Sequence, residues 1–523
     1  MQILKPLLAS ALLASAAFAA PALSAVAQAQ EIDVLELTIA DIQAAYEAGD
    51  YTAEELTQAY LDRIATYNPA YNAFTALNDA ALDEARAIDE ARAAGEELGP
   101  LAGIPLLVKE AIDMAGFPAT VGWAPLSSHT GGIDLIPSRD APVVQLLRDA
   151  GVIILGRTNI PVFSSAGDTN NSWAGITYNA VDRSLSPGGS SAGSATGLAA
   201  NFAVLALGEE TRGSLQIPGA AQSVVAVKPT FGLVPNTGVN PIGGSATDVV
   251  GPMARTVTDA ALMLDVIAGY HMEDPKTIST VGHIPADGYT SLLSDTALDG
   301  VRIGIYGEGF DAEVLTEETA ALFEAAIAEL EAEGAVPVYD VFAGGEVAAL
   351  ETTPTGMETG PYDWDRYYSR YGNGITGLAD VVALLDPADL AEGEPGNRFV
   401  RDAEPFDYGD FIALREAYID TFATIMEENE LDVFVFPVFA NGVPPLGDRQ
   451  QTITVPEINI SGLPGVVVPA GQYESGQPFA LIFIGPMWSE AELLAYAYDY
   501  EQATNHRILP ELSTEVLTPA AVE

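Results

Sequence analysis

Lysine is scarce in this chain, and that makes its positions informative. Only Lys5, Lys109, Lys228 and Lys276 occur among 523 residues, and Lys109 directly follows the apolar run Ile104-Pro105-Leu106-Leu107-Val108. A lysine at a strand end ordinarily keeps its ammonium in water. Buried, it loses basicity and becomes a general base near neutral pH. Moving it from about 10.4 to about 7 removes roughly 4–5 kcal/mol of preference for the charged form, which requires a dry, well-packed pocket.

A second stretch with chemical potential is SPGGSSAGSATG, from Ser186 to Gly197. Its composition suits a flexible linker, but apolar runs flank it on both sides, which disfavours that use. Gly188 and Gly193 have the spacing of a phosphate loop, yet Ser194 stands where that loop needs lysine. Gly189-Ser190-Ser191-Ala192-Gly193 matches a nucleophile elbow with Ser191 as nucleophile. That elbow needs a downstream histidine, and only His271, His283 and His506 qualify; a loop-like segment, Asp182 to Pro187, stands where the strand should be. The third reading has a serine served by a lysine base.

The elements around these residues alternate. Residues 31 to 97 read as helical, with a capping box at Thr52-Ala53-Glu54-Glu55. From about residue 100, short apolar runs bounded by Gly and Pro read as strands: GIPLLVKE, GVIILGRTN and NFAVLALGEE, then VRIGIYG, AVPVYD, LDVFVFP, GVVVPAG and FALIFIG. Helical patterns lie between them, including DAPVVQLLRDAG and TEETAALFEAAIAELEAEG, and SEAELLAYAYDYEQAT follows the last. Strands alternating with helices, several continuously apolar, predict an α/β fold with a buried sheet. Residues 30–523 read as one domain, with a variable insertion around 340–430 that is aromatic-rich from Tyr362 to Tyr371 and reads as part of the wall of a roomy, partly apolar pocket.

Three segments in order, LAGIPLLVKEAIDMAG, SPGGSSAGSATG and LGEETRGSLQIPGAAQSVVAVKPTFGLVP, resemble the core motifs of the amidase signature family. GPMARTVTDAALMLDVIAG and INISGLPGVVVPAG extend the resemblance over roughly residues 35 to 510, and its pattern is nearest the secreted peptide amidase branch. The resemblance implies a large mixed sheet covered by helices on both faces. It also implies a Ser–cis-Ser–Lys triad: Ser214 as nucleophile, Ser190 as bridging serine after a cis peptide at Gly189, and Lys109 as base. The 24-residue step from Ser190 to Ser214 agrees. Backbone N–H groups of Thr211, Arg212, Gly213 and Ser214 would form the oxyanion hole, Ser191 would support them, and Lys228 would be structural. The chain departs from the family pattern at Glu110, Ala192, Gln216 and Glu209-Glu210-Thr211-Arg212, where Thr-Asp-x-Gly is commoner. Arg212 is expected to pair with Glu209 or Glu210, or to face a substrate carboxylate.

With 73 acidic against 21 basic residues, the net charge is −52, which disfavours nucleic acid as a partner. There is no cysteine, and the four histidines lack metal-ligand spacing, so neither metal nor cofactor is expected. Residues 1–29 read as a secretory signal peptide ending near Ala27-Gln28-Ala29, and no later stretch is apolar enough for stable membrane insertion. The expectation is a periplasmic or secreted amide hydrolase acting on a small-molecule or peptide amide, with carbamates or esters as alternative substrates. Two rival readings remain: the glutaminase component of a tRNA-dependent amidotransferase, and an inactive binding protein on the same scaffold.

Overall fold

The computed structural model describes residues 32–517, apart from 166, 168, 311–314, 401–407 and 449. The expected signal peptide therefore lies outside the described residues. Eleven strands form one mixed sheet: β1 (Phe74–Leu77), β2 (Pro105–Lys109), β3 (Ile153–Thr158), β4 (Leu205–Glu210), β5 (Val225–Lys228), β6 (Val249–Ala254), β7 (Arg302–Ile305), β8 (Val336–Val338), β9 (Val433–Pro437), β10 (Gly465–Gln472) and β11 (Pro478–Ile484). Their spatial order is β1-β3-β2-β4-β6-β5-β10-β11-β9-β7-β8. Every residue of β2, β3, β4, β6, β9 and β11 is buried. That is why these strands read as unbroken apolar runs rather than as alternating ones.

Strand β2 pairs parallel with β3 on one side and β4 on the other. The register Leu106 to Leu205 and Val108 to Leu207 brings Lys109 and Glu209 to the same carboxyl edge. The serine-glycine stretch enters the helix Ala192–Ala199, which packs on β2, β3 and β4. Its small residues are a packing requirement. A Cβ on Gly193 would stand 2.4 Å from Ala73 O and Asn159 N, and one on Gly197 would stand 2.4 Å from Leu107 Cδ1. The capping box at Thr52 forms as expected: Glu55 N donates to Thr52 Oγ1 and Thr52 N to Glu55 Oε2.

The expectation of an apolar pocket around Tyr362 to Tyr371 is corrected by the packing. Trp364, Tyr367, Tyr368 and Tyr371 follow one helix face, and they are buried with Trp123, Phe163 and Phe399 in a satellite core. Tyr362 alone of these rings points outward, 58% exposed.

Two buried carboxyl groups lie at the helices Val257–Ile267 and Glu490–Thr504. Burial pushes Glu501 up to about 7, with the Asp259 charge adding to it, and pushes Asp259 up to about 6. Both bind protons more tightly folded than unfolded. The folded chain therefore holds more protons between about pH 4 and about pH 7, and stability falls as pH rises through that window. The melting temperature is expected to decline across it, with a shallower slope in Glu501→Gln. An unchanged slope would remove Glu501 as a cause.

Candidate active site

The site is built at the carboxyl edge of β2 and β4. Lys109 is fully buried at the end of β2, and burial drives its ammonium well below the usual lysine range; the Glu209 carboxylate opposes the shift. Its Nζ lies 2.7 Å from Ser190 Oγ, 2.9 Å from Glu209 O and 2.8 Å from Glu209 Oε2. A neutral amine has two N–H groups and one lone pair, and this cage has a place for each. The two N–H groups donate to the Glu209 oxygens, and the lone pair accepts from the Ser190 hydroxyl. Ser190 Oγ then keeps lone pairs free to accept a proton from a second serine.

That second serine is held by the neighbouring loop. Ser191 N donates to Ser214 O at 3.3 Å, which ties the Gly188–Ser191 turn to the loop after β4. The Gly189–Ser190 peptide is cis, as the family resemblance implied. Ser190 and Lys109 are fully buried, whereas Ser214 keeps 7% exposure. Gly213 sits at φ +86°, and a Cβ there would stand 2.8 Å from Ile217 Cδ1 and Val455 Cγ2. Among the described residues, the N–H groups of Arg212, Gly213 and Ser214 have no protein acceptor. They are available to a developing oxyanion.

Ser191 has a different place from the elbow reading. Its hydroxyl donates to Glu209 O at 3.1 Å and accepts from Glu209 N at 3.3 Å. The histidines work elsewhere: His506 pairs with Glu329, His283 stacks on Trp488, and His271 Nδ1 accepts from Glu273 N. Ser191 therefore supports the strand end and has no base of its own. Lys228 is a backbone clamp, as expected, donating to Leu463 O at 2.6 Å.

The expected pairing of Arg212 with Glu209 or Glu210 is not what the loop adopts. Glu209 is engaged by Lys109 and Thr211. Glu210 accepts from Leu215 N, Gln216 N and Gln216 Nε2 at 2.8, 3.2 and 2.6 Å, bracing the loop that carries Ser214. Arg212 is left exposed, with no ion pair among the described residues.

Sequence reasoning also missed three participants. Glu209 is the direct partner of Lys109. Thr211 contributes its hydroxyl, 3.0 Å from Glu209 Oε1 and 2.7 Å from Asp248 Oδ1. Asp248 arrives from 37 positions further on, held by N–H bonds from Ile242, Gly243 and Gly244. Only Glu209 had a local signal, as a carboxylate at the end of an apolar strand.

The family described as Amidase matches residues 55–494. This chain belongs to the amidase family. Its relatives include a glutamyl-tRNA(Gln) amidotransferase subunit from Acidothermus cellulolyticus, 34% identical over 91% of this chain and 96% of the relative. Among solved structures it is similar to the native peptide amidase from Stenotrophomonas maltophilia, with a TM-score of 0.78, 33% identity, and coverage of 91% of this chain and 99% of that one. An amidase family protein from Bacillus anthracis str. Ames gives a TM-score of 0.79 at 28% identity, covering 92% of this chain and 93% of that one. The family name carries amide C–N chemistry with it.

Gly213→Ala tests the loop geometry. It is expected to displace the backbone N–H groups around Ser214 and to lower amide turnover about a hundredfold while the protein stays folded. Wild-type turnover in that variant would show that the close approach at Gly213 has no part in catalysis.

Proposed function

We propose that this protein is an exported serine amidohydrolase. It cleaves carboxylic amides through an acyl-enzyme on Ser214, with Ser190 as proton bridge and Lys109 as general base. The observation that carries this reading is the buried Lys109 amine 2.7 Å from Ser190 Oγ, in a turn tied to the loop of Ser214 by the hydrogen bond from Ser191 N to Ser214 O.

The steps follow from the proton positions. Neutral Lys109 takes the Ser190 proton as Ser190 takes that of Ser214, and Ser214 Oγ attacks the carbonyl carbon. The oxyanion forms against the backbone N–H groups after Thr211, where each such donor is worth about 3–4 kcal/mol. The same path run backwards delivers a proton to the leaving amine. Water then enters and attacks the ester carbon, losing a proton along that path to Lys109; the proton returns to Ser214 Oγ as the C–O bond breaks and the acid leaves.

Peptide C-terminal amides and aryl amides are the proposed substrate class, and likeness to a solved peptide amidase supports the first of these. Exposed Arg212, two residues from Ser214 in a chain of net charge −52, favours substrates that carry an anionic group. Export rests on the leader pattern of residues 1–29. The relatives named as glutamyl-tRNA(Gln) amidotransferase subunits favour one other reading, in which the amide is that of glutamine and a partner chain receives the ammonia.

Ammonia or amine release from a panel of peptide amides, aliphatic amides, anilides, aryl carbamates and glutamine tests both readings. Wild-type turnover is expected on peptide or aryl amides, with a loss of at least about 10⁴-fold in Ser214→Ala. Equal turnover in the two proteins would take the nucleophile role from Ser214, and turnover of glutamine alone would favour the amidotransferase reading. On the same panel, Arg212→Glu is expected to lower kcat/KM for anionic relative to neutral substrates about fivefold, close to 1 kcal/mol. An unchanged ratio would remove Arg212 from substrate recognition.

A further inference from the structure

The hydroxyl of Thr211 sits between two carboxylates, 3.0 Å from Glu209 Oε1 and 2.7 Å from Asp248 Oδ1. A hydroxyl has one proton to donate. If both carboxyl groups were ionised, one of these short contacts would set lone pair against lone pair. One proton shared between the two carboxyl groups would make both contacts hydrogen bonds. Glu209 touches Lys109 through its other oxygen, Oε2, at 2.8 Å. Asp248 lies on the wall of a cavity of about 750 Å³ that also carries Asn236, Lys276 and Asp363. Exposed Arg139 and Glu273 belong to the same wall, which brings the cavity to the protein surface. The line Lys109, Glu209, Thr211, Asp248, cavity is continuous.

The hydrolase reading supplies a need for it, and this inference rests on that reading. An amide and water give a carboxylate, ammonia and a proton. When the acid product leaves as its carboxylate, it gives its own proton back through Ser214 and Ser190 to Lys109, which must become neutral before the next turnover. We propose that Lys109 discharges this proton through Glu209, Thr211 and Asp248 into the cavity that Asp248 lines.

The step balances. It begins with Lys109 as ammonium, Glu209 protonated on Oε1 and Asp248 ionised. Lys109 gives a proton to Glu209 Oε2, Glu209 Oε1 gives its own to Thr211 Oγ1, and Thr211 gives its former proton to Asp248 Oδ1. Lys109 ends neutral, Glu209 keeps one proton, now on Oε2, and Asp248 passes the extra one to water in the cavity; return of the Glu209 proton to Oε1 and a turn of the Thr211 hydroxyl toward Asp248 reset the line. Burial, the largest cause, pushes Asp248 upward, which favours its holding the proton passed from Thr211. The other charges facing the line are Glu210 beside Lys109, and Lys276, Asp274, Asp363 and Arg366 around the cavity. Glu210 is engaged by Leu215 and Gln216, and Asp274 by the N–H groups of Asn236 and Thr237.

The test uses the full-length protein and steady-state kinetics on the best amide of the panel. Thr211→Val keeps the backbone N–H but removes the relay hydroxyl, and Asp248→Asn keeps the shape but removes the proton acceptor. Each is expected to lower kcat about tenfold or more with KM changed less than about twofold, and the double variant to be no slower than the slower single. Added formate is expected to restore part of the lost rate in Asp248→Asn and none in Thr211→Val. Wild-type kcat in Thr211→Val, losses that multiply in the double variant, or no rescue by formate would overturn the proposal. If Asp248→Asn does not fold, Thr211→Val alone decides by kcat against KM. Ser214→Ala, run alongside, separates the two levels: wild-type turnover lost in that variant upholds the hydrolase reading whatever the relay variants do.

Discussion

One buried amine organises this protein. Lys109 is fully buried, and the hydrogen-bonding positions around its Nζ are met by Ser190 and Glu209. Meeting them requires the end of β4 beside the end of β2, and the parallel register of those strands supplies that. It also requires the Ser190 turn to lie on the sheet edge, and the glycines of the following helix allow that approach. The site is dry because the fold that builds it packs closely around it.

Two adjacent carboxylates on β4 do different work because strand side chains alternate in direction. Glu209 points to Lys109 and Thr211. Glu210 points the other way and braces the backbone of Leu215 and Gln216. The pair thus serves the base and the nucleophile loop from one strand end. Arg212 follows them in sequence, but it finds both carboxylates already engaged and turns outward.

The charge balance of the chain reflects a similar division. Several of its few cations are internal clamps on backbone carbonyls. Arg157 donates to the carbonyls of Pro118, Glu110 and Ile112, Arg255 to those of Ala203 and Leu37, and Arg415 to those of Ile460 and Ala246. Each ties together segments that are distant in sequence. With those arginines inside, the surface carries most of the acidic excess.

The sequence by itself determined the elements and singled out the candidate reacting groups. Apolar runs bounded by Gly and Pro revealed the strands because burial on both faces demands them. A lone lysine after such a run, a serine-glycine turn and a second serine marked the site once their order matched a family pattern. The tertiary structure alone decided who stands next to whom. Asp248 meets Thr211 across 37 residues with no local signal, since strand pairing between β4 and β6 brings them together. The rings from Trp364 to Tyr371 looked like a pocket wall and became core, because only packing shows which face of a helix is covered. Charge pairing was equally invisible in sequence. A carboxylate binds whichever donor the fold places within about 3 Å, and for Glu209 that donor is Lys109 rather than its neighbour Arg212.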